Sequence, residues 1–167
     1  MQNSIQFEAM KFAFEVHKNH KRKYTGNPYT DHLAEVVGIV STVTTVPSHL
    51  AIAWLHDSIE DVGVTFQTLQ SKFGGDVATG VLWLSDLEDG NRAERKRLSR
   101  IRLSNAPNWV QNIKVADMIS NTSSIVQHDP NFAKVYLEEK RLLLDVLTKA
   151  DKSLLYFARN LVINKGE

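Results

Sequence analysis

Apolar residues recur at intervals of three and four along nearly the whole chain, the spacing of one face of an α-helix. Phe7, Met10 and Phe14 follow it in the first stretch, and Leu33, Val36, Val37 and Val40 in the second. Leu50, Ala53 and Trp54 repeat it, and Phe66, Leu69 and Phe73 carry it to Gly74-Gly75, where a helix is expected to stop. Val77, Val81, Leu82 and Leu84 form a further short helical pattern, and residues 98–103, 109–125, 135–147 and 154–163 complete the series. The β-branched run VVGIVSTVTTV, residues 36–46, is the one candidate strand, but no second alternating run exists to pair with it. It is therefore read as helix. Pro47 and Pro107 mark helix starts or breaks. The expectation is an all-α bundle of about eight to nine helices joined by short loops.

Composition narrows the reading without redirecting it. The 167 residues are enough for one domain with a real core, so residues 1–167 are taken as a single unit. Twenty Lys and Arg against 19 Asp and Glu leave a net charge of +1, which offers no global field to nucleic acid or an anionic membrane. The absence of cysteine removes disulfides, thiolate metal sites and cysteine nucleophiles together. Metal ligands must then be His and carboxylates. The start, MQNSIQFEAMKF, lacks the plan of a signal peptide, and no apolar stretch is long enough to span a bilayer, so a cytoplasmic protein is expected.

One segment departs from this plain pattern. AWLHDSIED, residues 53–61, sets His56, Asp57, Glu60 and Asp61 at the end of an apolar run. On one continuous helix these four would share a face. Ionisable groups so crowded require a cation among them, and imidazole with carboxylate suits Mn, Fe, Zn or Co. Further ligands must come from elsewhere. His32, in PYTDHLAEVV, and Asp117, in the mostly apolar IKVADMISN, are the candidates, although Asp117 could equally pair with Lys114 one helical turn away. Two His and two Asp would leave positions open for water, as a catalytic metal requires. The other histidines, His17, His20, His49 and His128, are assigned to the surface. Two segments are read as exposed loops able to reach a ligand: residues 18–28, basic and turn-forming, and residues 85–97, which pass from acidic to basic.

The ordered set His32, His56-Asp57 and Asp117 resembles the His, His-Asp, Asp pattern of the HD-domain metal-dependent phosphohydrolases, which are helical. RKYTGNPYTDH at 22–32, LHDSIED at 55–61, FGGDV at 73–77 and KVADMISN at 114–121 are more narrowly similar to the hydrolase domain of RelA/SpoT homologues, including the small alarmone hydrolases. In that family a Mn²⁺ ion held by two His and two Asp activates the water that removes the 3′-pyrophosphate of ppGpp or pppGpp. The resemblance implies His32, His56, Asp57 and Asp117 as ligands, with Glu60 and Asp61 as the catalytic acidic pair. It also places Arg22 and Lys23 beside the nucleotide, one stacking on the base and one near phosphate, and Asn121 against the ribose. Arg92, with Arg95 and Lys96, could meet the distal phosphates. The partner so implied is a small-molecule nucleotide. The family continues its third motif with Lys after Asp and Arg two residues beyond Asn, where this chain has Met118 and Ser123. Other nucleotides, such as ppApp, NADPH or a nucleoside monophosphate, therefore stay open as substrates.

Overall fold

The computed structural model describes residues 4–164. Among these, ten helices make up the regular structure, joined by loops that contain one isolated bridge, between Lys21 and Pro28. The architecture is all-α, as the spacing of apolar residues predicts. The chain divides into two compact units, one ending at Leu87 and the other beginning at Glu88.

The first unit holds α1 (Ile5–Val16), α2 (Thr30–Ser41), α3 (Pro47–Leu55), α4 (Ser58–Val62), α5 (Phe66–Phe73) and α6 (Gly75–Leu84). Its centre is α3, against which α1, α2 and α6 all pack. Ala51, Ile52, Ala53 and Leu55 of α3 are buried, and so are Ala9 and Ala13 of α1. This corrects the expected inner face of α1, since Phe7 and Phe14 are 51% and 48% exposed. Small residues on both helices let the backbones come close, and a face of Phe7, Met10 and Phe14 would hold them apart.

Local chemistry sets the ends of these helices. The β-branched run stays helical only to Ser41, because Ser41 Oγ and Thr42 Oγ1 donate to the carbonyls of Gly38 and Ile39, both at 2.7 Å. Such side-chain bonds compete with the helical ladder. Pro47 opens α3 in the first turn, where its missing N–H costs nothing. Thr65 Oγ1 accepts from Thr68 N at 3.1 Å to cap α5, which ends at Gly74 with φ of 87°, a conformation glycine adopts without strain.

The second unit holds α7 (Arg92–Asn105), α8 (Asn108–His128), α9 (Pro130–Val146) and α10 (Lys152–Asn164). Helices α9 and α10 pack on α8 and on each other, and α7 packs on α9. Residues 110–120 of α8 are buried without interruption. Its buried polar residues tie neighbouring segments down: Gln111 Nε2 donates to Leu103 O at 2.9 Å, and Gln111 Oε1 accepts from Lys149 N at 2.8 Å. Asn112 Oδ1 likewise accepts from Asp151 N at 2.7 Å. Asn91 caps α7 by accepting from Glu94 N at 3.0 Å. Arg92, Arg95 and Lys96 accordingly lie on a helix, not in the exposed loop expected for residues 85–97.

Candidate metal centre

Helix α3 does not run on through the acidic segment. It ends at Leu55, and His56 and Asp57 form a turn before the five-residue α4 begins at Ser58. Two side chains draw carbonyls of the last turn to themselves. His56 Nδ1 bonds Ala53 O at 2.8 Å, and Ser58 Oγ donates to Leu55 O at 2.6 Å. The helix breaks there. His56 and Asp57 thus sit at a junction between two helices, and Glu60 and Asp61 belong to the second of them. Gly63, at φ 69° and ψ 23°, closes α4 in the left-handed conformation.

His32 enters from the first turn of α2 and is buried, as is His56. The two imidazoles face one carboxylate oxygen: His56 Nε2 lies 3.0 Å and His32 Nε2 3.5 Å from Asp57 Oδ2. One ligand atom from each of the three residues falls within 4.8 Å of the others, a grouping that could hold a metal ion. The tautomer of His56 supports this. A carbonyl only accepts, so the Ala53 bond fixes the proton on Nδ1 and leaves the neutral ring's Nε2 as a lone pair directed at Asp57. A lone pair facing a carboxylate at that distance repels it unless a cation, a proton or a metal, stands among them. Two imidazoles and one carboxylate are a donor set suited to a divalent transition metal, and the backbone bond on the remote nitrogen is the usual support of a metal-ligating histidine.

The electrostatics follow from this grouping. Burial pushes the Asp57 carboxyl upward, but in the metal-free chain the charge and hydrogen bonds of His56 and His32 in their protonated forms outweigh it and hold the group well below the usual carboxylate range, so this oxygen favours a cation beside it. Asp61 goes the other way, raised by its partial withdrawal from water and by the negative charge of Asp57, against a hydrogen bond from Tyr29. Glu60 reaches from α4 to the segment after α6, where its Oε2 accepts from Asp86 N at 2.9 Å.

Of the other residues singled out in the sequence, Arg22 and Lys23 lie in the turn bounded by the Lys21–Pro28 bridge. Arg22 N donates to Asn27 O at 2.8 Å, and Lys23 Nζ stands 4.8 Å from the centre of the Tyr24 ring. Asp117, Asn121 and Arg92 belong to the second unit. Asp117 is buried on α8, 3.2 Å from Lys114 Nζ, and accepts from Asn121 Nδ2 at 2.7 Å. Arg92 forms a two-pronged pair with Glu139, at 2.7 and 2.8 Å, over the face of Phe132.

His17 requires correction. His17 is 1% exposed, and His20 is half-buried. His17 occupies the same face as Ala9 and Ala13, eight and four residues earlier, and that spacing was the signal for its burial. Tyr29 was not foreseen at all. Its hydroxyl donates to Asp57 Oδ2 at 2.7 Å, and its ring stacks on His20 with centroids 3.8 Å apart. His49 is partly exposed and His128 exposed, in keeping with the sequence reading.

An all-helical chain with paired histidines and an aspartate at a helix junction has a defined class. The chain belongs to the HD-domain family, whose profile matches residues 9–128, and it is a hydrolase of that family. It is 35% identical over 132 residues to a guanosine-3′,5′-bis(diphosphate) 3′-pyrophosphohydrolase, MESH1 of Xenopus tropicalis, covering 74% of this chain and 70% of the relative. MESH1 of Danio rerio is 31% identical over 131 residues, covering 76% and 72%. Among solved structures, a metazoan orthologue of SpoT described as hydrolysing ppGpp matches the fold with a TM-score of 0.90 and 24% identity, over 99% of this chain and 98% of that one. No helix among the described residues is long and apolar enough to cross a membrane.

Proposed function

We propose that the chain hydrolyses the 3′-pyrophosphate of guanosine alarmones, converting ppGpp or pppGpp to GDP or GTP with release of pyrophosphate, and that its metal is Mn²⁺. The observation that carries the reading is the His32, His56 and Asp57 grouping, with His56 Nε2 turned towards Asp57 by the Ala53 bond. Relatives named for this reaction support the substrate. His32, His56 and Asp57 hold the ion, with Asp117 as the fourth ligand, so that residues 1–167 act as one domain.

Bound there, the ion supplies a Lewis acid that activates water at neutral pH and offsets phosphate charge. The chain's own groups do the rest. Water attacks the phosphorus attached to the ribose 3′ oxygen, the P–O bond to the ribose breaks, and the 3′ oxygen leaves with a proton. Glu60 and Asp61 take the proton from the water and return one to the leaving oxygen. Arg22 stacks on the base and Lys23 contacts phosphate, roles suited to a planar guanidinium and a compact ammonium. Asn121 meets the ribose. Arg92 contributes to the distal phosphates from the outer side of its pair with Glu139. The substrate is a small cytoplasmic nucleotide.

A second reading keeps the chemistry and changes the nucleotide. Met118 and Ser123 stand where the family pattern carries Lys and Arg, which favours ppApp, NADPH or a nucleoside monophosphate. One assay separates the two. Mn²⁺-loaded protein given a panel of these nucleotides is expected to release pyrophosphate from ppGpp. Orthophosphate from monophosphates alone, or no product from ppGpp, overturns the first reading.

A further inference from the structure

Tyr29 immediately precedes α2, three residues before His32. Its hydroxyl donates to Asp57 Oδ2 at 2.7 Å, the same oxygen that both imidazoles face. Asp61 is close enough to that hydroxyl to feel it, which tempers the rise in its proton affinity. The ring is itself held. It stacks nearly parallel on His20, with centroids 3.8 Å apart and planes 12° from parallel, and on His17 at 5.2 Å and 12°. Its other neighbour is His32, edge-on at 5.3 Å. His17 Nδ1 and His20 Nδ1 lie 3.1 Å apart, so one proton bridges them and locks the two imidazoles together.

This stack is an expensive way to fill a core. His17 is 1% exposed, its Nε2 is buried with no hydrogen-bond partner, and burial has lowered its pKa to about 4. A leucine at that position would avoid the desolvation of a ring nitrogen. What imidazole offers in its place is a flat, neutral ring bonded at its edge to a second flat ring, which together fix the plane of a third.

We propose that Tyr29 is a positioning residue of the metal centre: its phenol holds the Asp57 carboxylate in the orientation that meets His32 and His56, and the His17–His20 pair holds its ring. The proposal rests on the reading of His32, His56 and Asp57 as metal ligands. A donor on a ligating carboxylate removes its freedom to rotate and leaves its other lone pairs for the ion. The aromatic stack transmits this constraint to a segment just ahead of His32, so one phenol sets two of the three ligands.

The test is Tyr29→Phe, which keeps the ring and its stacking and deletes only the hydroxyl. Mn²⁺ affinity is read from the electron paramagnetic resonance signal of the free ion, and the melting of metal-free protein is followed in parallel. The expected result is metal-free melting like the wild type, with Mn²⁺ affinity lower by about 10- to 100-fold. With ppGpp at saturating metal, kcat should fall while KM stays near wild type. Unchanged Mn²⁺ affinity in Tyr29→Phe, with wild type binding normally, overturns the proposal alone. Failure of wild type to bind Mn²⁺ overturns the metal reading beneath it as well. Should Tyr29→Phe not fold, His20→Ala and His20→Phe decide the matter. The alanine variant is expected to bind Mn²⁺ more weakly than the phenylalanine variant, which retains a stacking ring, and equal affinities overturn the proposal.

Discussion

Replacing His17 with Phe should remove a pH dependence of stability that the fold imposes on this residue. Burial is the main cause of its lowered pKa, and the neighbouring His20, His56 and His32 add to it against the attraction of Asp57. The ordinary value of 6.5 applies to the unfolded chain, and about 4 to the folded one. Between those values the unfolded chain binds the proton and the folded chain does not, so acid favours unfolding. The contribution is at its full value above pH 6.5 and is lost as the pH falls towards 4. At about 1.36 kcal/mol per pH unit, the whole loss is about 3 kcal/mol, of which about 2 kcal/mol falls between pH 7 and pH 5. Phe keeps a flat ring against Tyr29 and does not titrate. Urea melts of metal-free wild type and His17→Phe at pH 7, 6 and 5 follow the effect, with His20→Phe run alongside because His20 Nδ1 is bonded to His17 Nδ1. The stability difference should shift by about 2 kcal/mol in favour of the variant on going from pH 7 to pH 5. Parallel pH profiles would refute the burial of a neutral imidazole at this position.

Two further outcomes check the site and the second unit. Glu60→Gln should keep its Mn²⁺ content and lose about 100-fold or more in turnover, whereas Asp57→Ala should lose both, as read by metal analysis of the purified variants. Equal metal loss in the two would sink the division between ligand and proton carrier. Gln111→Ala leaves the Lys149 N–H and the Leu103 carbonyl without the amide that now joins them. The urea midpoint should report a loss of about 2–4 kcal/mol, and a change under about 0.5 kcal/mol would show that those bonds are replaced by water.

The helical class was legible because three- and four-residue spacing runs through nearly every segment, and capping chemistry marked several ends, such as Pro47 and Gly74. The inner face of α1 was not. Hydrophobicity ranks Phe7 and Phe14 above Ala9 and Ala13, yet close helix approach selects small residues, and only the packing partner reveals that choice. The break after Leu55 was hidden for a related reason. Nothing in LHDSIED disfavours helix strongly, and the interruption comes from His56 and Ser58 bonding back to the turn before them. The candidate ligands His56 and Asp57 stood out because ionisable residues at the end of an apolar helix are rare. Tyr29 did not stand out, because an aromatic ring beside an apolar run reads as packing until its edge is seen to meet a carboxylate, and His17 did not because a lone histidine among lysines reads as surface.

The two departures from the family pattern on α8 differ in weight. Met118 is 1% exposed, whereas Ser123 is exposed. A charge at a buried position acts through a medium of low dielectric and is poorly screened by salt, so its loss changes the local field more than the loss of a solvated one. Methionine also keeps most of the length of a lysine stem, so packing at this position can be preserved while the charge disappears. The field around Asp117 is then set chiefly by Lys114, 3.2 Å from it. Relative to the family pattern, an anionic ligand beside this helix meets one fewer poorly screened cation. On the proposed reading that difference bears on which nucleotide is taken and not on the chemistry, since the His32, His56 and Asp57 grouping is untouched by it.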